Sequence, residues 1–413
     1  MIAILSLVLT LLAMIGTAYT LGAAMLAGRW RAPRGEAGGV PRRRPGSMPE
    51  LAGRAALASG VGPGPRPAPG NGDAAAEWPS ITMLKPLHGP EPMLETKLAG
   101  FLEQDYPGPI DMVCGVADPA DPALDAARAV HARLARVTIV TAADRHGANG
   151  KVSNLINMLP QAGGDILILS DSDMIVDRHY AESVTTLLAR PGVGAVTLPY
   201  AGVGETNGWS RMAAAGISWG FLPSVMVGVA CRLAHPCMGS TIALTRKTLE
   251  AIGGFAPFAD LLADDHAIGA AVRALGLEVV VAPPIVLHAC SESSLAALWR
   301  HELRWNATVR MLDPAGYAGS AVTHGFAWSL LAVACGAGGW VIGVALLARL
   351  ALAARIDALV GRQTAPLWWL PARDLLSFGL YVAAFFTRSV DWRGSRLHMA
   401  ADGRLSAETE KSQ

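Results

Sequence analysis

Apolar and polar positions follow three different patterns along the chain. From Met1 to about Ala27 the residues are apolar and carry no charged side chain, a run long enough as a helix to cross the ~30 Å hydrocarbon core of a bilayer. A cleaved signal peptide would want a basic start, a shorter apolar run and a small-residue cleavage box. No basic residue precedes this run, so a retained anchor is predicted. Arg29, Arg31, Arg34, Arg42, Arg43 and Arg44 follow at once, which puts the downstream side in the cytoplasm.

From Ser80 apolar runs alternate with helical patterns. Ser80–Lys85, Ile110–Val116, Val137–Val140, Asp165–Ser170 and Val193–Leu198 read as strands. Glu91–Gln104, Asp121–Arg136, Lys151–Gln161 and His179–Arg190 read as the helices between them. This alternation predicts an α/β domain with a mostly parallel sheet, helices on both faces, and ligands at the carboxyl ends of the strands.

After about Gly316 the chain turns apolar again. Ala321–Leu347 is read as a second membrane span and Leu367–Phe386 as a third, although Arg373 and Asp374 lie side by side in it. Intramembrane charges are tolerated when paired or facing a polar cavity. Arg388, Arg393, Arg396 and Arg404 mark a cytoplasmic end. One span before the domain and two after it keep domain and tail on the same side. The expected layout is an anchor over 1–27, a disordered Pro/Gly/Ala linker over 28–79 and the α/β domain over 80–318. Two membrane helices with a connecting loop follow over 319–387, then a tail over 388–413.

Composition sharpens this picture. Hydrophobic residues make up 52% and charged residues 16% of the 413, too apolar for an ordinary soluble enzyme. A net charge of +1 implies neither nucleic acid nor an acidic polymer as partner. The five cysteines (Cys114, Cys231, Cys237, Cys290, Cys335) form no CxxC pair, which fits a reducing cytosol and argues against a zinc ribbon or a disulfide scaffold. The Ala, Gly and Arg bias points to a bacterial genome.

The strongest local signal is Ile166-Leu-Ile-Leu-Ser-Asp171-Ser-Asp173, an apolar strand running into two carboxylates spaced by one residue. Mg²⁺ or Mn²⁺ takes oxygen ligands and often keeps phosphate oxygens in its shell, so a D-x-D at a strand end can hold such an ion against a diphosphate. An acidic turn is the plainer alternative. Asp118 ends an earlier strand, where a carboxylate could bind a base or ribose; N-capping by Asp118 or Asp121 explains it equally well. Asp264 and Asp265 precede an apolar helix, as caps or as the general base for a hydroxyl nucleophile. His301 and Arg304 share a helical face with Trp305 beside them. An Arg can clamp a diphosphate and a Trp can close a pocket, whereas a membrane-surface helix carries Trp for interfacial reasons. Gly147-Ala-Asn-Gly150-Lys151 lacks the pattern of a P-loop, His301-Glu302 lacks the second His of a zinc protease, and the remaining histidines read as solvated or core.

Lys85-Pro-Leu-His-Gly89, Asp118, Gly147-x-Asn149-x-Lys151-x-x-Asn154, Asp171-Ser-Asp173, Gly239-Ser, Asp264-Asp265 and His301-x-x-Arg304-Trp305 occur in that order. The ordered set resembles the ceramide glucosyltransferase family, a membrane branch of the GT-A glycosyltransferases, over about residues 80–315; Asp391-Trp-Arg-Gly-Ser-Arg396 is also similar to it. Within it the chain most resembles the hopanoid-biosynthesis-associated branch, through Lys151-Val-Ser-Asn-Leu-Ile-Asn-Met, Leu222-Pro-Ser-Val-Met-Val-Gly and Trp299-Arg-His-Glu-Leu-Arg-Trp.

The resemblance implies a GT-A fold and transfer of N-acetylglucosamine from UDP-GlcNAc to the lipid bacteriohopanetetrol at the bacterial inner membrane. Lys85, Asp118 and Lys151 would then contact UDP. Asp171 and Asp173 would bind a divalent metal and the diphosphate, Asp265 would be the base of an inverting displacement, and Arg304 and Trp305 would close over the donor. His301 stands where the family has Gln or Arg. The nearest alternative is a ceramide or other lipid glucosyltransferase using UDP-glucose. A polysaccharide synthase would need more spans, and a catalytically silent lipid-binding scaffold would be expected to lose these carboxylates.

Overall fold

The computed structural model describes residues 1–30 and 78–387, and beyond them the backbone strands Ser389–Trp392, Ser395–Met399 and Leu405–Ala407. The predicted linker over 28–79 and the side chains of the predicted tail over 388–413 lie almost wholly outside the described residues.

In chain order helix α1 (Ile2–Arg29) comes first, then β1 (Ile81–Pro86), α2 (Leu94–Leu102), β2 (Ile110–Val116), α3 (Ala123–Leu134) and β3 (Val137–Thr141). Next come α4 (Gly150–Met158), β4 (Ile166–Leu169), β5 (Met174–Ile175), α5 (Tyr180–Leu188), β6 (Val193–Thr197) and β7 (Tyr200–Gly204). Helices α6 (Gly208–Gly216) and α7 (Leu222–Ala230) precede β8 (Ile242–Thr245), α8 (Arg246–Ala251), α9 (Asp264–Ala274), β9 (Glu278–Val281) and β10 (Val286–Cys290). The remainder is helical up to Ala384: α10 (Leu295–Leu312), α11 (Pro314–Gly319), α12 (Gly325–Ala334), α13 (Trp340–Val360) and α14 (Leu370–Ala384).

These elements divide into two compact units. The sheet unit holds the chain from after Trp30 to Tyr200 and His235–Ala289; the helical unit holds Met1–Trp30, Ala201–Ala234 and Cys290 onward. Residues 201–234 and 290–318, expected within the α/β domain, thus belong to the helical unit.

The sheet unit is α/β, with strand order β3-β2-β1-β4-β8-β6-β9. Strands β3, β2, β1 and β4 run parallel. The short β8, invisible to the periodicity argument, runs antiparallel to both β4 and β6, and β6 pairs parallel with β9. Alternation along each strand builds two cores. Ile81, Met83, Met112, Cys114, Ile166 and Ile168 face α2, α3 and α5. Leu84, Val113, Leu167 and Leu169 face α4 and α9. Strands covered on both faces read as continuous apolar runs, which is why β1, β2 and β4 were legible.

In the helical unit α1 packs at small residues. A methyl group on Gly16 would lie 2.5 Å from Gly325 Cα, so only glycine lets these two backbones approach so closely. Helix α1 is 28 residues long with mean hydropathy 2.2, and Gly208–Ala230 forms a continuous 23-residue helix of mean hydropathy 1.5 that is mostly buried. By length and composition these are the two candidates for crossing a membrane among the described residues.

The two predicted C-terminal spans are not formed as such. Ala321–Leu347 breaks after α12, where Gly336 takes φ +98°, leaving α12 with 10 residues. Helix α13 carries Arg349, Arg355 and Asp357, and α14 has 15 residues. At ~1.5 Å per residue α12 and α14 fall short of the ~30 Å core. The adjacent Arg373 and Asp374 are both buried and paired, though not with each other. Arg349 forks onto Asp374 (Nε–Oδ2 2.8 Å, Nη2–Oδ1 2.7 Å) and donates to Trp219 O at 3.0 Å. Arg373 forks onto Glu302, with Nη1 donating to Oε1 at 3.0 Å.

Candidate active site

Past β4 the chain turns at Ser172–Asp173, and burial alternates along it from Ser170 to Met174. Ser170 and Ser172 point inward and are buried, while the Asp171 and Asp173 side chains keep 39% and 32% exposure. Both carboxylates therefore keep some exposure at the carboxyl edge of the sheet, although Asp173 Oδ1 is itself buried. Asp173 Oδ2 lies 3.2 Å from His288 Nε2, because β10 pairs antiparallel with β5 and sets His288 opposite Met174. His288 stacks on Tyr200, centroids 5.6 Å apart.

Lys85 has no exposed surface. Its ammonium lies over the Phe101 ring and donates to Ser170 Oγ at 3.0 Å and to Asp171 O at 2.9 Å. Burial pulls its pKa down to about 7 against the pull of Asp171 and Asp173. This is the placement of a support beneath the carboxylate loop. Glu91, overlooked in the sequence, accepts from Ser172 Oγ on the same inner side. Burial, then the nearby Asp173 charge, pushes its pKa up to about 7.

The segment around Lys151 is fixed by its neighbours in sequence. Asn149 caps α4, its Oδ1 accepting from Lys151 N at 2.9 Å and Val152 N at 3.1 Å. Its Nδ2 donates to Leu261 O at 2.7 Å, and Asn149 N donates to Ala259 O at 2.7 Å. A methyl on Gly147 would lie 2.5 Å from Ala259 O. Asn154 Nδ2 ties the helix to Gly115 O at 2.7 Å. The α4 start is thereby latched to the loop that delivers Asp264 and Asp265.

Lys151 Nζ reaches Asp171 Oδ1 at 2.8 Å and Asp264 Oδ2 at 3.4 Å. Burial opposes its charge, but Asp171, Asp264 and Asp265 outweigh that and hold its pKa above the ordinary value. Asp265 Oδ2 accepts from Gly239 N at 3.0 Å and its Oδ1 from His266 N at 2.7 Å. Burial and then Asp264 push the Asp265 pKa up to about 6, with Lys151 opposing. Gly239 also accepts at its carbonyl from Asp171 N at 3.2 Å. One glycine thus spaces Asp265 from the D-x-D loop, and a methyl there would lie 2.8 Å from Asp171 Oδ2.

Among the described residues no three His, Cys, Asp or Glu side chains form a closed metal cage. Two part-exposed carboxylates still fit a divalent ion that completes its shell with phosphate and water oxygens. Charge agrees: Asp171, Asp173, Asp264 and Asp265 outnumber Lys151 and Lys85 here, and Gly239 leaves space beside Asp171.

Asp118 is exposed at the end of β2, accepting from Ala120 N at 2.8 Å. The buried Asp121 accepts from Ala123 N at 2.9 Å at the start of α3 and clamps Gly89 N at 2.9 Å, so Asp121 takes the capping work. The structure brings Lys151, Asp171, Asp264 and Asp265 together, with Asp173 beside them on the same loop. Arg304 and Trp305 lie on α10 of the helical unit. There His301 Nδ1 meets Glu292 Oε1 at 2.7 Å and its ring lies 4.3 Å from that of Trp305. His288 and Glu91 were missed; the one signal for His288 was a histidine inside the apolar strand Val286–Cys290.

Among solved structures, the chain is similar to a mannosyltransferase, PcManGT from Pyrobaculum calidifontis, in complex with GDP-Man and Mn2+. Identity is 21%, covering 92% of this chain and 98% of that one, with TM-score 0.46. It is also similar to M. tuberculosis glucosyl-3-phosphoglycerate synthase, at 17% identity over 65% of this chain and 85% of that one, with TM-score 0.35. No curated protein matches it in direct sequence comparison. Residues 63–405 match the family model described as Glycosyl transferase family 21, and the chain belongs to that family, a glycosyltransferase with a mixed α/β fold.

Proposed function

We propose that this glycosyltransferase moves N-acetylglucosamine from UDP-GlcNAc onto a hydroxyl of a polyol-tailed hopanoid, bacteriohopanetetrol, at the cytoplasmic face of a bacterial inner membrane. The observation that carries the chemistry is Gly239, which holds Asp265 by its N–H and the D-x-D loop by its carbonyl. A carboxylate with a raised pKa is thereby fixed beside the two part-exposed carboxylates of the D-x-D loop. The sugar and the acceptor rest on the resemblance of the ordered motifs.

In this reading Asp265 takes the proton from the acceptor hydroxyl as its oxygen attacks C1 of the sugar. The C1–O bond to the diphosphate breaks, UDP leaves, and a single displacement inverts the anomeric centre. Lys151 stays protonated between Asp171 and Asp264 and keeps the carboxylates from repelling one another apart. Asp118 is exposed where a ribose or base would arrive. Asp171 and Asp173 would hold Mg²⁺ or Mn²⁺, which when bound neutralises charge building on the departing diphosphate. Helix α1 serves as the anchor, its arginine-rich exit on the cytoplasmic side.

The test is to incubate detergent-purified protein and Mg²⁺ with bacteriohopanetetrol or ceramide, offering UDP-GlcNAc and UDP-glucose separately, with products read by mass spectrometry. A GlcNAc-hopanoid is expected. Glucosylceramide would keep the chemistry and overturn the donor and acceptor; no product with any pair would overturn both.

A further inference from the structure

Three consecutive residues of the D-x-D loop are gripped from beneath by two ionisable side chains, one of them, Lys85, with no surface of its own. Lys85 takes Ser170 Oγ and the Asp171 carbonyl, and Glu91, from the turn before α2, takes the Ser172 hydroxyl. Helix α2 also supplies Phe101, whose ring lies 3.2 Å below the Lys85 ammonium. The second oxygen of Glu91 is buried without a hydrogen-bond partner. A buried ammonium costs several kcal/mol to desolvate, and plain packing at Lys85 would be served better by an apolar side chain.

We propose that Lys85 and Glu91 are positioning residues, which set the two D-x-D carboxylates for metal and diphosphate by holding the inward-facing half of the loop, and that neither touches the nucleotide. The geometry supports this by alternation. With Ser170 and Ser172 held inward and buried, the Asp171 and Asp173 side chains keep 39% and 32% exposure, and the Lys85 bond to the Asp171 carbonyl fixes the peptide that follows it. The inference rests on the reading of Asp171 and Asp173 as the metal and diphosphate carboxylates.

The test is UDP affinity of the full-length protein in detergent, measured by calorimetry with Mn²⁺ and again with EDTA, alongside thermal melting. Lys85→Met should leave UDP affinity in EDTA within about twofold of wild type and abolish at least tenfold of the Mn²⁺-dependent gain, at an unchanged or higher Tm. Glu91→Ala should behave likewise. Glu91→Gln, which still accepts from Ser172, should recover most of the gain, a rescue that a residue needed only for its charge would not show. Equal loss of UDP affinity with and without Mn²⁺ in Lys85→Met would make Lys85 a nucleotide contact and overturn the inference. An unchanged Mn²⁺ gain in both Lys85→Met and Glu91→Ala would overturn it too. A wild-type protein with no Mn²⁺-dependent gain would instead overturn the reading of Asp171 and Asp173 themselves, and this inference with it.

Discussion

At the scale of single residues, Asp265 is where environment turns a common side chain into a base. An ordinary aspartate is ionised at neutral pH but too weakly basic to draw a proton from an alcohol efficiently. Burial and the neighbouring Asp264 push the Asp265 pKa up to about 6, closer to the working pH, where general bases are most effective. Asp265→Asn should lower kcat by about 10²–10⁴-fold and leave UDP binding nearly intact, since the Asn can still accept from Gly239 N. The sign of the pH dependence follows from the role. The base works ionised, so kcat/KM of the wild type should fall with a one-proton slope as pH drops through about 6, and residual turnover of Asp265→Asn should lack that limb. Near-full turnover in Asp265→Asn would remove this residue from the mechanism. In the sequence Asp265 was as good a helix cap as a base. The structure adds Gly239 N on its carboxylate, a contact 26 residues away that no local pattern announces.

At the scale of elements, the Gly147-x-Asn149-x-Lys151 stretch shows what a motif is for. Asn149 both caps α4 and holds Leu261 O, so one side chain joins the Lys151 helix to the loop carrying Asp264. Asn149→Ala removes the cap, a cost of about 0.5–2 kcal/mol, and releases the loop. Asn149→Asp keeps the cap acceptor but loses the donor to Leu261 and adds a second carboxylate near Asp264. If the latch matters beyond the cap, Asn149→Asp should melt closer to wild type than Asn149→Ala and yet lose transfer activity as severely; melting curves and initial rates decide it. The elements themselves were largely legible. Strands β1, β2, β3, β4 and β6 and the helices between them lie within a few residues of the apolar pattern, because both sheet faces are buried and the helices are amphipathic. Strand β8 was not, since four residues running straight into α8 give no period. His288 escaped for a related reason: its partner Asp173 is fixed by strand pairing, not by spacing.

At the scale of the whole molecule, the sequence reading laid the regions out end to end, whereas the helical unit is assembled from three separate stretches. Hydropathy marks helices as apolar but does not say which of them find polar partners, so Arg373 and Asp374 looked like a flaw in a membrane span. In the structure they are ties. Arg349 reaches Asp374 across 25 positions and Trp219 O across 130, joining α13, α14 and the α6–α7 helix through one guanidinium. Arg349 and Asp374 are both less than a tenth exposed, so removing one partner strands the other. Asp374→Ala should destabilise by about 3–5 kcal/mol, the usual result of leaving a buried charge alone. Arg349→Met with Asp374→Leu removes both charges and should recover most of that loss. The readout is thermal melting of the detergent-solubilised protein. A double variant no more stable than Asp374→Ala would mean that the Trp219 bond, not the ion pair, holds the three helices together. A mild Asp374→Ala would mean that water or another acceptor reaches Arg349, and that the charges first read as a defect are not a structural tie either.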